Sequence, residues 1–213
     1  MPIHVGNIEK ITNDFIQLSE LEFNRVLYDA LNSSGTDIVH DVDELIFPPG
    51  YRLIRVDNRL DLDDIDEPYF ELALLSDETK EVVYYNKVIV ISDLVLNCRP
   101  ASQILVWRTR KPQHKAALSD LAAKIFFHYL IKTYDVVASN ISQIIEGTSF
   151  WQARMYEALQ FGLYVYGYDV MTCELRNILA EDDVSKEQSW LWGNAEYYMD
   201  RLAIISRIKL PNK

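Results

Sequence analysis

The run Arg108-Thr109-Arg110-Lys111-Pro112-Gln113-His114-Lys115 gathers Arg108, Arg110, Lys111 and Lys115 on a chain whose formal net charge is −11. Cations concentrated on an acidic protein suit a phosphate, and arginine can grip one through two parallel hydrogen bonds. The blander alternative is a solvated basic loop. Other chemistries lack their motifs: there is no GxSxG elbow, GxxxxGK[ST] loop, HExxH or dinucleotide-binding glycine pattern. His4, His40, His114 and His128 are scattered along the chain. Asp61, Asp63, Asp64, Asp66 and Glu67 offer oxygens to a cation, but without the glycine and final glutamate of a calcium loop, so no metal site is expected.

The elements that must hold the basic run follow from hydrophobic periodicity. Ser19 and Glu22 have capping-box spacing, predicting a helix that carries Leu21, Leu27, Tyr28 and Leu31 and stops at Ser33-Ser34-Gly35. Pro48-Pro49-Gly50 breaks the chain, and short β-rich runs follow at Tyr51–Val56, Tyr69–Leu75, Glu81–Ile91 and Gln103–Thr109. Asp57–Glu67 reads as a solvated acidic loop, and Ser76-Asp77-Glu78-Thr79 as a hairpin turn. Leu118, Leu121, Ala122, Ile125 and Tyr129 predict one amphipathic helix ending near Lys132. A strand over Asp135–Ser139 comes next, then a helix from Phe150 to about Phe161, opened by Ser149 and Gln152 and closed by Gly162. Leu163–Val170 is β-rich. Ser185 and Gln188 announce a helix from Lys186 to about Arg201, with Leu202–Ile208 as a last strand. Trp190, Asn194 and Tyr197 fall near one face of that helix, as core or as the anchor of an interface.

This order of elements, with Gln113 and Ala116 at two positions of a Q/R-x-x-G-x-G/A pattern after a strand, resembles the GCN5-related N-acetyltransferase family. Leu118 stands at the pattern's last position. A second stretch is similar to phage- and prophage-borne members: Val136-Val137-Ala138-Ser139-Asn140, then Gln143, Gly147, Phe150-Trp151 and Leu163-Tyr164-Val165-Tyr166. The resemblance implies an α/β fold with a mixed, mainly antiparallel sheet flanked by helices. It also implies acetyl-coenzyme A as cofactor, its pyrophosphate on Arg108, Arg110, Gln113, His114, Lys115, Ala116 and Ala117. Val106 and Trp107 would offer backbone groups to the pantetheine arm, and Asn140 and Tyr156 would lie near the thiol. Ala116 and Leu118 put side chains where glycines would let the backbone approach phosphate closely. Direct attack of an amine on the thioester needs a general base, for which Glu71, Glu81, Tyr84 and Tyr85 are candidates; alternation sends the two tyrosines to opposite faces.

A chain of 213 residues fits one domain, 1–213. With 49% hydrophobic and 25% charged residues it has the composition of a folding chain rather than a disordered one. The charge opposes direct binding of nucleic acid or anionic lipid. Cys98 and Cys173 make no disulfide framework, and neither a signal-peptide core nor a membrane span is read, which together suggest the cytoplasm. Two functions are therefore expected as alternatives: an acyl-coenzyme A-dependent N-acyltransferase acting on an amine, or a non-catalytic acidic interaction protein, of phage origin, that blocks a basic site on a host protein.

Overall fold

Runs rich in Val, Ile, Leu and Tyr become strands, and the amphipathic stretches become the helices that cover them. A computed structural model describes residues 16–59, 68–91, 99–139, 147–193 and 200–211. The chain divides into two compact units, Gly6–Val90 with Leu105–Leu130, and Met1–Val5 with Ile91–Ile104 and Ile131–Lys213.

In the first unit, helix α1 (Leu21–Ser34) precedes β1 (Thr36–Asp37), β2 (Tyr51–Asp57), β3 (Tyr69–Ser76) and β4 (Glu81–Ile91), and β5 (Ala101–Arg108) ends there. Strands β1 to β4 form an antiparallel meander in chain order. All eight residues of β3 are buried, as expected of a central strand covered on both faces. Leu27, Tyr28 and Leu31 of α1 meet Ile54, Val56, Ala73 and Leu75 in one cluster, with Tyr85 and Trp107 packed against it. The β3–β4 ladder shifts register between Leu74 and Leu75. There the buried Asn24 takes the place of a strand partner: its Oδ1 accepts from Val82 N–H at 2.8 Å and its amide donates to Val82 C=O at 2.9 Å.

In the second unit the start of β5 pairs in parallel with β6 (Asp135–Ser139), over Ala101–Gln103 only. Strand β9 (Arg201–Ser206) lies between β6 and β7 (Tyr164–Asp169), antiparallel to both, and β8 (Leu175–Ile178) pairs with β7. Helices α5 (Gly147–Gln160) and α6 (Glu181–Trp192) pack on these strands and on each other. Gly162, at φ +71°, ends α5: its N–H donates to Leu159 C=O and that of Leu163 to Ala158 C=O, the paired bonds of a left-handed helix stop. Gly167 admits Trp190, whose Cζ3 would lie 2.7 Å from an added Cβ, and the guanidinium groups of Arg176 and Arg201 lie over the indole at 4.1 and 4.6 Å. The fold class is α/β, mixed and mainly antiparallel with flanking helices, as expected.

Four expectations change in detail. Glu20, not Ser19, is the N-cap of α1 and makes no side-chain cap. The helix foreseen over Leu118–Lys132 is segmented into α2 (Lys115–Leu118), α3 (Leu121–Ile125), a π turn at Phe126–Leu130 and α4 (Ile131–Thr133). Asp120, left-handed at φ +54°, separates α2 from α3. Helix α5 begins at Gly147, so Ser149 lies within it. Helix α6 starts at Glu181, where Asp183 Oδ2 accepts from Ala180 N–H at 3.2 Å; Ser185 and Gln188 fall inside it. Asn140, Gln143, Asn194, Tyr197, most of the acidic loop before Pro68, and Cys98 lie outside the described residues.

Candidate functional site

The basic run leaves the sheet at the end of β5. Thr109 N–H donates to Val83 C=O at 3.0 Å, which holds the start of the loop against β4. Pro112, at the first position of a single 3-10 turn (Pro112–His114), then carries the chain into the four-residue α2. A helix this short has little macrodipole to offer an anion. An anion at this loop would meet side-chain cations rather than a helix dipole.

Those cations fall into two groups. Arg108, Arg110 and Lys115 are exposed, as are Gln113 and Ala116. Lys111 is exposed too, but is held to β4, its Nζ donating to Glu81 Oε2 at 2.8 Å. His114 and Ala117 point into the protein, His114 being 1% and Ala117 4% exposed. Neither is placed to meet a ligand on the surface.

Beneath the loop, Glu81, Lys111 and His114 come together with a residue that sequence reasoning did not select, Tyr51. Its hydroxyl lies 2.8 Å from His114 Nδ1, and the rings meet edge to face. His114 Nε2 is buried without a hydrogen bond, 3.8 Å from the same Glu81 oxygen that Lys111 holds. That separation is within ion-pair range and too long for a hydrogen bond. Burial pushes the imidazole below its ordinary pKa; Lys111 adds to this, while the negative field of Glu81 and Glu78 opposes it. A neutral ring accepting from Tyr51 at Nδ1 carries its proton on Nε2, aimed at Glu81. Tyr51 itself is raised, first by burial and then by Glu78.

A neutral buried histidine has a measurable consequence. Its pKa lies below the ordinary 6.5, so the unfolded chain takes up the proton first as pH falls. The contribution is whole above that value and is lost as pH drops toward the folded value, with a slope of at most about 1.4 kcal/mol per pH unit. Urea unfolding followed between about pH 5 and 7.5 should show this slope in the wild type, and a slope lower by one proton in His114→Asn.

The remaining candidates are engaged elsewhere. Glu71 is buried on β3, accepting from Arg59 Nε and Nη2 at 2.8 and 2.9 Å and from Tyr85 Oη at 2.6 Å. Tyr84, on the opposite face, is 1% exposed. Val106 is half-buried on β5, and Trp107 packs on the α1 cluster. Tyr156, half-buried on α5 of the second unit, pairs through its hydroxyl with Ser185 Oγ of α6 at 2.8 Å. Among the described residues no group of three His, Cys, Asp or Glu could hold a metal, and no helix is long and apolar enough to cross a membrane.

No protein-family model matches the chain, and neither the curated proteins nor the solved structures yield a match.

Proposed function

We propose that the protein is an acyl-coenzyme A-dependent N-acyltransferase of the GCN5-related kind, its coenzyme loop rebuilt from cations in place of glycines. The observation that carries this reading is local: the fourth long strand, β5, runs directly into a loop rimmed by the exposed Arg108, Arg110 and Lys115. The order of elements on either side and the parallel start of β5 on β6 support it. On this reading the cations hold the coenzyme A pyrophosphate, while His114 and Ala117 serve as the loop's buried footing. The amine attacks the thioester carbonyl, the C–N bond forms as the C–S bond breaks, and the thiolate leaves with a proton. No covalent enzyme intermediate is needed. The reaction belongs in the cytoplasm, where acyl-coenzyme A is found.

Calorimetric titration with acetyl-coenzyme A at moderate salt tests this directly. Arg110→Glu turns a charge-assisted contact into repulsion and should weaken binding roughly ten- to a hundred-fold. Absence of saturable binding to the wild type sinks the coenzyme assignment.

A second reading has its own observation. Lys111 is neutralised by Glu81 and the loop lacks glycine, while the chain as a whole carries −11. An acidic protein that occupies a basic site on a host protein needs nothing from this loop. Arg110→Glu would then leave partner binding intact, and partner binding would fall steeply with salt.

A further inference from the structure

The footing of the loop has an odd arithmetic. One carboxylate, Glu81, faces two candidate partners, Lys111 Nζ at 2.8 Å and His114 Nε2 at 3.8 Å, and satisfies only the first. The side chain of Glu81 is 10% exposed, so it cannot be left without a partner at little cost. The Lys111 side chain is 44% exposed, so its ammonium stays within reach of the surface on a flexible stem. His114 is anchored from behind by Tyr51, and its Nε2 has no hydrogen bond. A buried polar atom without a partner calls for an explanation.

We infer that Glu81 is a built-in competitor for the anion bound by the loop, and that His114 is its second berth. Without ligand, Glu81 holds Lys111 down. When a pyrophosphate group settles among Arg108, Arg110 and Lys115, Lys111 swings up to it. The released carboxylate then closes the gap of 3.8 Å onto His114 Nε2–H, with Tyr51 donating to Nδ1 behind it. The exchange keeps the buried charge hydrogen-bonded in both states, which is what makes it affordable. Glu81 and His114 are thus positioning residues that set the loop's affinity. The inference rests on the reading of this loop as a pyrophosphate site, but not on the acyl transfer.

Inorganic pyrophosphate is the probe, titrated calorimetrically into the wild type, Glu81→Gln, Lys111→Ala and the double variant, each checked by thermal melting. Removing the competitor should tighten binding by about ten-fold in Glu81→Gln, since one charge-assisted contact becomes available without exchange. That gain should vanish when Lys111 is also alanine. Glu81→Asp, which withdraws the carboxylate but keeps its charge, should move affinity in the same direction and serves if the glutamine variant does not fold. Binding no tighter in either Glu81 variant, a gain that survives loss of Lys111, or no pyrophosphate binding in any variant overturns the inference. Acetyl-coenzyme A binding to the wild type without that gain leaves the acyltransferase reading standing alone. The gain with pyrophosphate but no binding of acetyl-coenzyme A does the reverse.

Discussion

Asp135→Ala should lower the stability of the folded chain by about 3–5 kcal/mol, the cost of stripping one member from a buried, hydrogen-bonded ion pair. Asp135 is fully buried at the start of β6, and its carboxylate accepts from Arg99 Nε and Nη2 at 3.1 and 2.8 Å and from Ser206 Oγ at 2.6 Å. Arg99 also donates to the carbonyls of Ile131, Lys132 and Tyr134, closing the end of the helical segment that precedes β6. The guanidinium left behind keeps these carbonyls but loses its counter-charge at a site where its side chain is only 19% exposed. Urea unfolding measures the loss. The double variant Arg99→Met with Asp135→Leu should lose less than the two single changes summed, because it leaves no orphaned charge. Strict additivity would mean that the pair is not coupled.

Arg59→Ala should cost about 3–5 kcal/mol for the same reason in the other unit, since Glu71 is 1% exposed and, among the described residues, would keep only the hydrogen bond from Tyr85. The bidentate contact with Glu71 already raises the guanidinium above its ordinary value. Tyr85→Phe removes one hydrogen bond to a charged acceptor and should cost only about 1.5–3 kcal/mol. The prediction also separates two roles for Glu71. A general base exchanged for Gln would stop the reaction and leave the melting temperature nearly unchanged; a carboxylate already bound by a guanidinium and a phenol should instead be felt first in stability. Glu71→Gln, assayed for both, decides between them, and a stable but inactive variant would restore Glu71 as a base.

Three strands of the first unit were legible almost to the residue, while the two-residue β1 (Thr36–Asp37) was not. Tyr51–Asp57, Tyr69–Ser76 and Glu81–Ile91 are runs rich in Val, Ile, Leu and Tyr, bounded by Pro48-Pro49-Gly50, Pro68 and a polar turn, so length, composition and punctuation agree. Strand β8 escaped because Leu175-Arg176-Asn177-Ile178 is four residues with polar neighbours, and pairing with β7 makes it a strand. The start of α6 escaped because Ala180 has no side-chain acceptor to announce it; Asp183 reaches back to its N–H instead. The break at Asp120 is a matter of backbone conformation, φ +54°, which the apolar spacing of Leu118, Leu121 and Ile125 cannot record.

For the candidate site the division is sharper. Composition and order alone determined that this acidic chain carries one dense cationic run, that the run follows a strand, and that no glycine relieves it. Nothing in the linear order separates Lys111 from Arg110 or His114 from Lys115. Only the tertiary structure decided that Lys111 and His114 both face Glu81, thirty and thirty-three residues earlier, and that Tyr51, sixty-three residues before His114, stands behind the imidazole. Charge and periodicity are properties of neighbours along the chain, whereas which cation meets a carboxylate depends on the pairing of β4 with the end of β5. That pairing is a long-range contact, and it gives the loop's charges their different roles.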